Sequence, residues 1–260
     1  MDEREWIGWR TGYRQSLHER VLALKVEHLS VSYDGFLAVE RVDLEVEKGE
    51  IVAIVGPSGC GKTSFLKAIL GLVPYTGKIQ VEEKDIGYMP QTDSLFDWLN
   101  CLDNVALPLF LKGIPKKEAR KIAMEYLEKV GLKEWAFKNV YQLSGGMRQR
   151  LSLARALVSG SKLLLADEPF ISLDAQNRRK LQIYFSQFLE KEKITTIFVT
   201  HSVEEAVFLA DRVVLFSNRP AKIVQIFHVQ LPKPRDVDIL SNPAYQKLVG
   251  MIYEKVFQQG

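Results

Sequence analysis

Eight residues, Gly56-Pro57-Ser58-Gly59-Cys60-Gly61-Lys62-Thr63, follow the apolar segment Ile51–Val55 directly and open the apolar stretch 65–70. A buried strand that feeds a glycine loop and then a helix is a phosphate-binding device. The glycines let the backbone double back so that successive N–H groups face one anion, and the helix N-terminus adds partial positive charge. In that setting Lys62 reaches the β- and γ-phosphates of a nucleotide, and Thr63, followed by Ser64, offers its hydroxyl to Mg²⁺. Cys60 lies among the same N–H groups, which are expected to favour its thiolate.

Two further apolar runs end in residues that could do chemistry. Residues 163–166 lead into Asp167-Glu168-Pro169, and residues 197–199 lead into Thr200-His201. Ligands of open α/β sheets sit at the carboxyl ends of the strands, so all three sets of groups are expected at one edge. Asp167, at the strand end, is placed to hold Mg²⁺ through water. Glu168 is placed to orient or deprotonate the attacking water, and His201 to contact the γ-phosphate side. A second phosphate-binding element is Leu143-Ser144-Gly145-Gly146-Met147-Arg148-Gln149, which opens the helical pattern Met147, Leu151, Ala154, Val158. Ser144 is a good N-cap, and two glycines at a helix start leave N–H groups open to an anion.

These groups need a sheet and helices to hold them, and the rest of the chain has the means. It has 260 residues, 47% hydrophobic and 26% charged, enough for one large domain or two small subdomains. Its net charge of +3 is spread over interleaved acidic and basic residues, without the basic stripe of a nucleic-acid binder. Two cysteines, Cys60 and Cys101, make no disulfide framework, which points to a reducing cytosol. No uncharged apolar run approaches the roughly 18 residues of a membrane span, and Met1-Asp2-Glu3 does not begin a signal peptide. Between Gln91 and Ser144 the pattern turns helical. Over residues 115–130, Ala119, Ile122, Ala123, Tyr126, Leu127 and Val130 share one face, while Lys116, Lys117 and Arg120 read as a solvated run. Trp6, Trp9, Tyr13 and Leu17 form an amphipathic start. Ser241-Asn242-Pro243 caps a final helix with Tyr245, Leu248, Val249, Ile252, Tyr253 and Val256 on one face, and the proline-rich stretch 231–235 reads as a linker.

Taken together these residues resemble the ATP-binding subunits of ABC transporters, from about residue 24 to about residue 236. Gly56 to Thr63 matches the P-loop, Gln91 the Q-loop, Leu143 to Gln149 the signature, and residues 162–169 the Walker B strand with Glu168 as catalytic glutamate. Ser172-Leu173-Asp174 matches the D-loop, His201 the switch histidine, and Tyr33 the aromatic that stacks on adenine. The resemblance implies catalytic roles for Glu168, His201, Gln91 and Lys62, Mg²⁺ at Thr63, Gln91 and Asp167, and nucleotide contacts from Ser144, Gly145, Gly146 and Asp174. A narrower likeness to nitrate, sulfonate and taurine importers rests on Trp98-Leu99-Asn100, Leu102-Asp103-Asn104-Val105, the stretch from Glu204 to Arg212, Asn218-Arg219-Pro220-Ala221-Lys222-Ile223 and Leu231-Pro232-Lys233-Pro234-Arg235-Asp236. Residues 76–88 are shorter than that group's usual hairpin, and Val140-Tyr141 stand where it has Pro-His.

The fold implied by the resemblance is α/β: a P-loop NTPase core with a mainly parallel sheet, an antiparallel β subdomain and an inserted helical subdomain at about residues 92–157. The expected division is an extension over 1–23, the ATPase domain over 24–236 and a helical extension over 237–260. ATP and Mg²⁺ are the implied cofactors, bound between two copies of the chain at the cytoplasmic face of the membrane. The implied partners are an integral membrane permease and, indirectly, an extracellular solute-binding protein, with no nucleic acid. Leu95, Phe96 and Trp98 form either the groove that receives the permease or ordinary core. The alternative class is a soluble ABC ATPase in a non-transport complex acting on DNA, ribosomes or cofactor assembly.

Overall fold

The structure is a computed structural model that describes residues 21–171 and 173–258. Trp6, Trp9, Tyr13, Leu17 and Ser172 therefore lie outside the described residues. The chain opens with β1 (Leu22–Tyr33), β2 (Phe36–Glu47) and β3 (Ile51–Val55), then α1 (Lys62–Ile69), β4 (Thr76–Val81) and β5 (Ile86–Met89). Three helices come next, α2 (Cys101–Leu111), α3 (Lys116–Lys129) and α4 (Gly145–Leu157). Beyond them run β6 (Leu163–Asp167), α5 (Ala175–Glu192), β7 (Thr195–Thr200), α6 (Val203–Leu209), β8 (Arg212–Phe216), β9 (Ile223–His228) and α7 (Pro243–Phe257).

Six strands form the main sheet in the order β5-β6-β7-β3-β8-β9, and three form a second in the order β2-β1-β4. The first five strands of the main sheet are mutually parallel and β9 is antiparallel to β8. The smaller sheet is antiparallel throughout. Successive side chains of a strand point to opposite faces, and the central strands are apolar on both. Ile51, Ala53 and Val55 face a core with the helices, while Val52 and Ile54 face a second core shared with β1, β2 and α1. Leu164 and Ala166 of β6 join the first core, and Leu163 and Leu165 the second. A strand buried on both faces must be an unbroken apolar run, which is why 51–55 and 163–166 read so clearly.

The segment 76–88 is no shortened hairpin: β4 pairs with β1 in the small sheet and β5 with β6 in the main one. Pro115 caps α3, whose Ala119, Ala123 and Leu127 are buried against the first core. The basic run at its start is not wholly solvated, because Arg120 makes two 2.7 Å bonds to the Asp103 carboxylate. That pair holds α3 to α2. The stretch 231–235 is not a free linker either. Leu231 lies in the first core, and buried Arg235 donates to the carbonyls of Val207, Phe208 and Ala210 at 3.2, 3.1 and 2.7 Å. These are carbonyls at the end of α6 that helix geometry leaves unpaired. Asn242 caps α7 by accepting from the Ala244 N–H, and Tyr245 and Ile252 enter the same core as α6.

Candidate active site

The loop between β3 and α1 is shaped for an anion. Gly61 has φ 125°, and a Cβ there would lie 2.5 Å from the Ala38 carbonyl oxygen, so only glycine fits. No side chain caps the first turn of α1 and no acidic residue lies in it. Its N–H groups are thus left for a ligand, with the helix dipole favouring negative charge. Lys62 is buried and its Nζ donates to the carbonyls of Gly56 and Pro57 at 2.8 and 2.9 Å. Those two bonds fold the lysine over the loop, where Ser58 and Gly59 complete the turn. Tyr33, half-buried at the end of β1, donates to Ser64 Oγ at 3.2 Å. The aromatic is thereby tied to the first turn of α1.

The strand ends converge as their order requires. Asp167 pairs with Val199 between β6 and β7, and Val55 with Thr200 between β3 and β7. Thr63 Oγ1 donates to Asp167 Oδ1 at 3.1 Å across 104 residues of sequence. Asp167 is 3% exposed. Burial pushes its carboxyl up from the ordinary value and Glu168 adds to this, against the Thr63 bond and the charges of Lys67 and Lys62. Glu168 turns out of the strand with φ 47°, its N–H held by the Val199 carbonyl at 3.0 Å. A left-handed φ on a residue with a Cβ is costly and persists where neighbours enforce it. The turn brings Glu168 Oε2 within 3.0 Å of His201 Nδ1. An ionised carboxylate only accepts, so this bond puts the proton on Nδ1.

Gln91 is exposed two residues past Met89, which pairs with Ala166, so it lies off the same carboxyl edge. Behind it Asp93 binds Arg148 at 2.6 and 3.2 Å, and the Asp93 and Ser94 carbonyls each accept from Arg155 at 2.7 Å. Sequence reading missed this clamp, since its two halves lie 55 to 62 residues apart. It fixes the segment after Gln91 to α4. Ser144 caps α4 by accepting from the Met147 N–H at 3.4 Å, and no acidic residue sits in the first turn. An open groove of about 290 Å³ beside it is lined by Ser144, Gly146, Arg150 and Lys180 among others. None of its lining residues comes from the glycine loop at 56–63. Gly145 packs so close to Leu173 that a Cβ would lie 2.9 Å from the Leu173 Cδ2 atom. Asp174 caps α5, its carboxylate accepting from the Asn177 N–H and Nδ2 at 3.0 and 2.6 Å.

Burial corrects one expectation and divides another. Cys60 is 2% exposed, and desolvation pushes its thiol up despite the neighbouring Lys62 charge. Burial thus favours the neutral thiol over the thiolate. The trio after Gln91 divides: Leu95 is core, Phe96 is half-buried, and Trp98 is 78% exposed with its ring 4.9 Å from that of Phe96. Among the described residues no helix is long and apolar enough to cross a membrane.

A sequence profile of the ABC transporter family matches residues 39–171. An uncharacterised ABC transporter ATP-binding protein of Methanocaldococcus jannaschii is 41% identical over 238 residues, covering 87% of this chain and 89% of that one. The taurine import ATP-binding protein TauB of Shigella boydii is 37% identical over 249 residues, 91% of this chain and 98% of its own. Among solved structures, a dimeric ATP-binding cassette in a post-hydrolysis state with ADP and Pi superposes with a TM-score of 0.68 at 28% identity. It covers 80% of this chain and 100% of that one.

Proposed function

The chain belongs to the ABC transporter family as an ATP-hydrolysing subunit, and from that premise we propose that it powers uptake of a small anionic or organic solute, nitrate, sulfonate or taurine-like, through a separate membrane permease. It works at the cytoplasmic face of the membrane, and the permease and an extracellular binding protein choose the solute. The 91% coverage by a taurine import ATP-binding protein supports this class of cargo. ATP lies between two copies, the glycine loop of one facing Ser144, Gly145 and Gly146 of the other. Supporting this, the groove at Ser144 draws nothing from its own chain's loop, and the related cassette is dimeric.

The observation that carries the catalytic reading is the meeting of three strand ends, with Thr63 on Asp167 and Glu168 on His201. The oxygens of Thr63 and Asp167 suit Mg²⁺, a hard cation held by one or two carboxylates plus phosphate oxygens. A buried carboxylate whose charge the protein leaves poorly compensated fits such an ion as well. Bound there with Gln91, Mg²⁺ supplies neutralisation of developing phosphate charge. Lys62 orients the phosphate chain, Tyr33 stacks on the base, Asp174 contributes from its end of α5, and Glu168 orients or takes the proton of the attacking water. His201 fixes the Glu168 carboxylate through Nδ1 and leaves Nε2 for the γ-phosphate side. Glu168→Gln keeps the shape and an acceptor for His201 but removes the base. We expect ATP affinity to change little and kcat to fall by about 100-fold or more. Turnover like the parent's would remove Glu168 from the mechanism.

A further inference from the structure

His201 sits in the turn between β7 and α6, and that turn hangs on a chain of hydrogen bonds ending in the C-terminal helix. The Ser202 N–H donates to Thr200 Oγ1 at 3.1 Å. Ser202 Oγ accepts from the Glu205 N–H at 3.1 Å and gives its own proton to Glu204 Oε2 at 3.2 Å. The Glu204 carboxylate accepts in turn from the Tyr253 hydroxyl, 3.0 and 2.8 Å from its two oxygens. Tyr245, two turns earlier on α7, donates to the Glu204 carbonyl at 3.1 Å. Two tyrosines of α7 thus grip one residue, three positions after His201, by its side chain and its backbone.

We propose that Tyr253, with Tyr245, positions His201 for hydrolysis by locking the Ser202–Glu204 turn, so that α7 is a working part of the catalytic device. The proposal rests on the role assigned to His201 above. Its physical basis is the single hydroxyl proton of Ser202. While Tyr253 holds the Glu204 carboxylate, that proton has a fixed acceptor, and the Ser202 oxygen stays turned to cap α6. Without the phenol the carboxylate is free to swing into water, and the residue adjoining His201 loses its fixed orientation. α7 itself has little freedom to follow, because Tyr245 and Ile252 are anchored in the core. The far end of the chain is therefore wired to Glu168 through the 3.0 Å contact of His201. Small displacements of a general base or its orienting partner are costly to rate.

Tyr253→Phe in the full chain removes one oxygen and keeps the ring. Its kcat for ATP, measured on the ATP-driven dimer, should fall about 5- to 10-fold with KM for ATP nearly unchanged. The same substitution in a His201→Ala background should cause no further loss of the residual turnover, because two residues acting through one function do not add. A merely structural contribution of Tyr253 predicts the same factor in both backgrounds, and that result overturns the proposal, as does full kcat in Tyr253→Phe. Full kcat in His201→Ala alone would instead remove the assignment on which the proposal rests. Glu204→Ala, which removes the acceptor of both hydroxyls, is measured in the same way in case Tyr253→Phe lowers Tm, and it should show the same pattern.

Discussion

Asp167 sets stability against use. Its carboxyl is raised by burial and by Glu168, so the folded protein holds that proton more tightly than the unfolded chain does. The charged form therefore costs stability at neutral pH, and the cost is relieved as pH falls from the raised folded value toward the ordinary carboxylate one. Asp167→Asn should raise the Tm of the nucleotide-free protein at pH 7 and flatten its dependence on pH in that window, by calorimetry. The same variant should lose the stabilisation that Mg-ATP gives the parent. A lowered Tm without nucleotide would contradict this account of the site. Cys60 teaches the related lesson that position in a loop of N–H groups does not decide a thiol's state. Burial at 2% exposure outweighs them, and sequence alone cannot report burial of one side chain in a turn.

At the scale of elements, the segment between β5 and α2 holds one core residue and one exposed aromatic, so packing and a proposed permease contact can be tested apart. Leu95 belongs to the core and Trp98 is 78% exposed. Leu95→Ala should cost about 2–4 kcal/mol in denaturant unfolding, and Trp98→Ala less than about 1 kcal/mol. Trp98→Ala should also leave the subunit's ATPase intact and weaken transport by the assembled permease complex; normal transport would place the docking groove elsewhere. Arg235 offers a different test, since three carbonyls at the end of α6 depend on it. Its replacement by Ala should destabilise by at least about 2 kcal/mol, because buried acceptors lose their donor; an unchanged denaturation midpoint would show that water satisfies them. β3, β6 and β7 were legible in the sequence because strands buried on both faces leave continuous apolar runs with chemistry at their ends. The partition of β4 and β5 between sheets was not, because pairing is decided by β1 and β6, far away in sequence. Arg235 was hidden for the same reason: a proline-rich local pattern says nothing of carbonyls 25 to 28 residues earlier. Likewise the sequence brought Glu168 and His201 to one edge but could not show the bond between them.

Among the described residues, the glycine-opened helices α1 and α4 both start without an acidic residue in the first turn, which suits an anion. The groove at Ser144 has no residue of the glycine loop among its lining, which fits the proposal that each chain offers one half of each ATP site. In the proposed dimer a second copy, related by a two-fold axis, would complete both at once. The most direct measurement is the mass of Glu168→Gln by sedimentation with and without Mg-ATP, together with the count of bound nucleotide. Monomer without nucleotide and a stable dimer holding two ATP with it is the predicted result. A chain that binds ATP fully yet stays monomeric at every protein concentration would contradict the composite site.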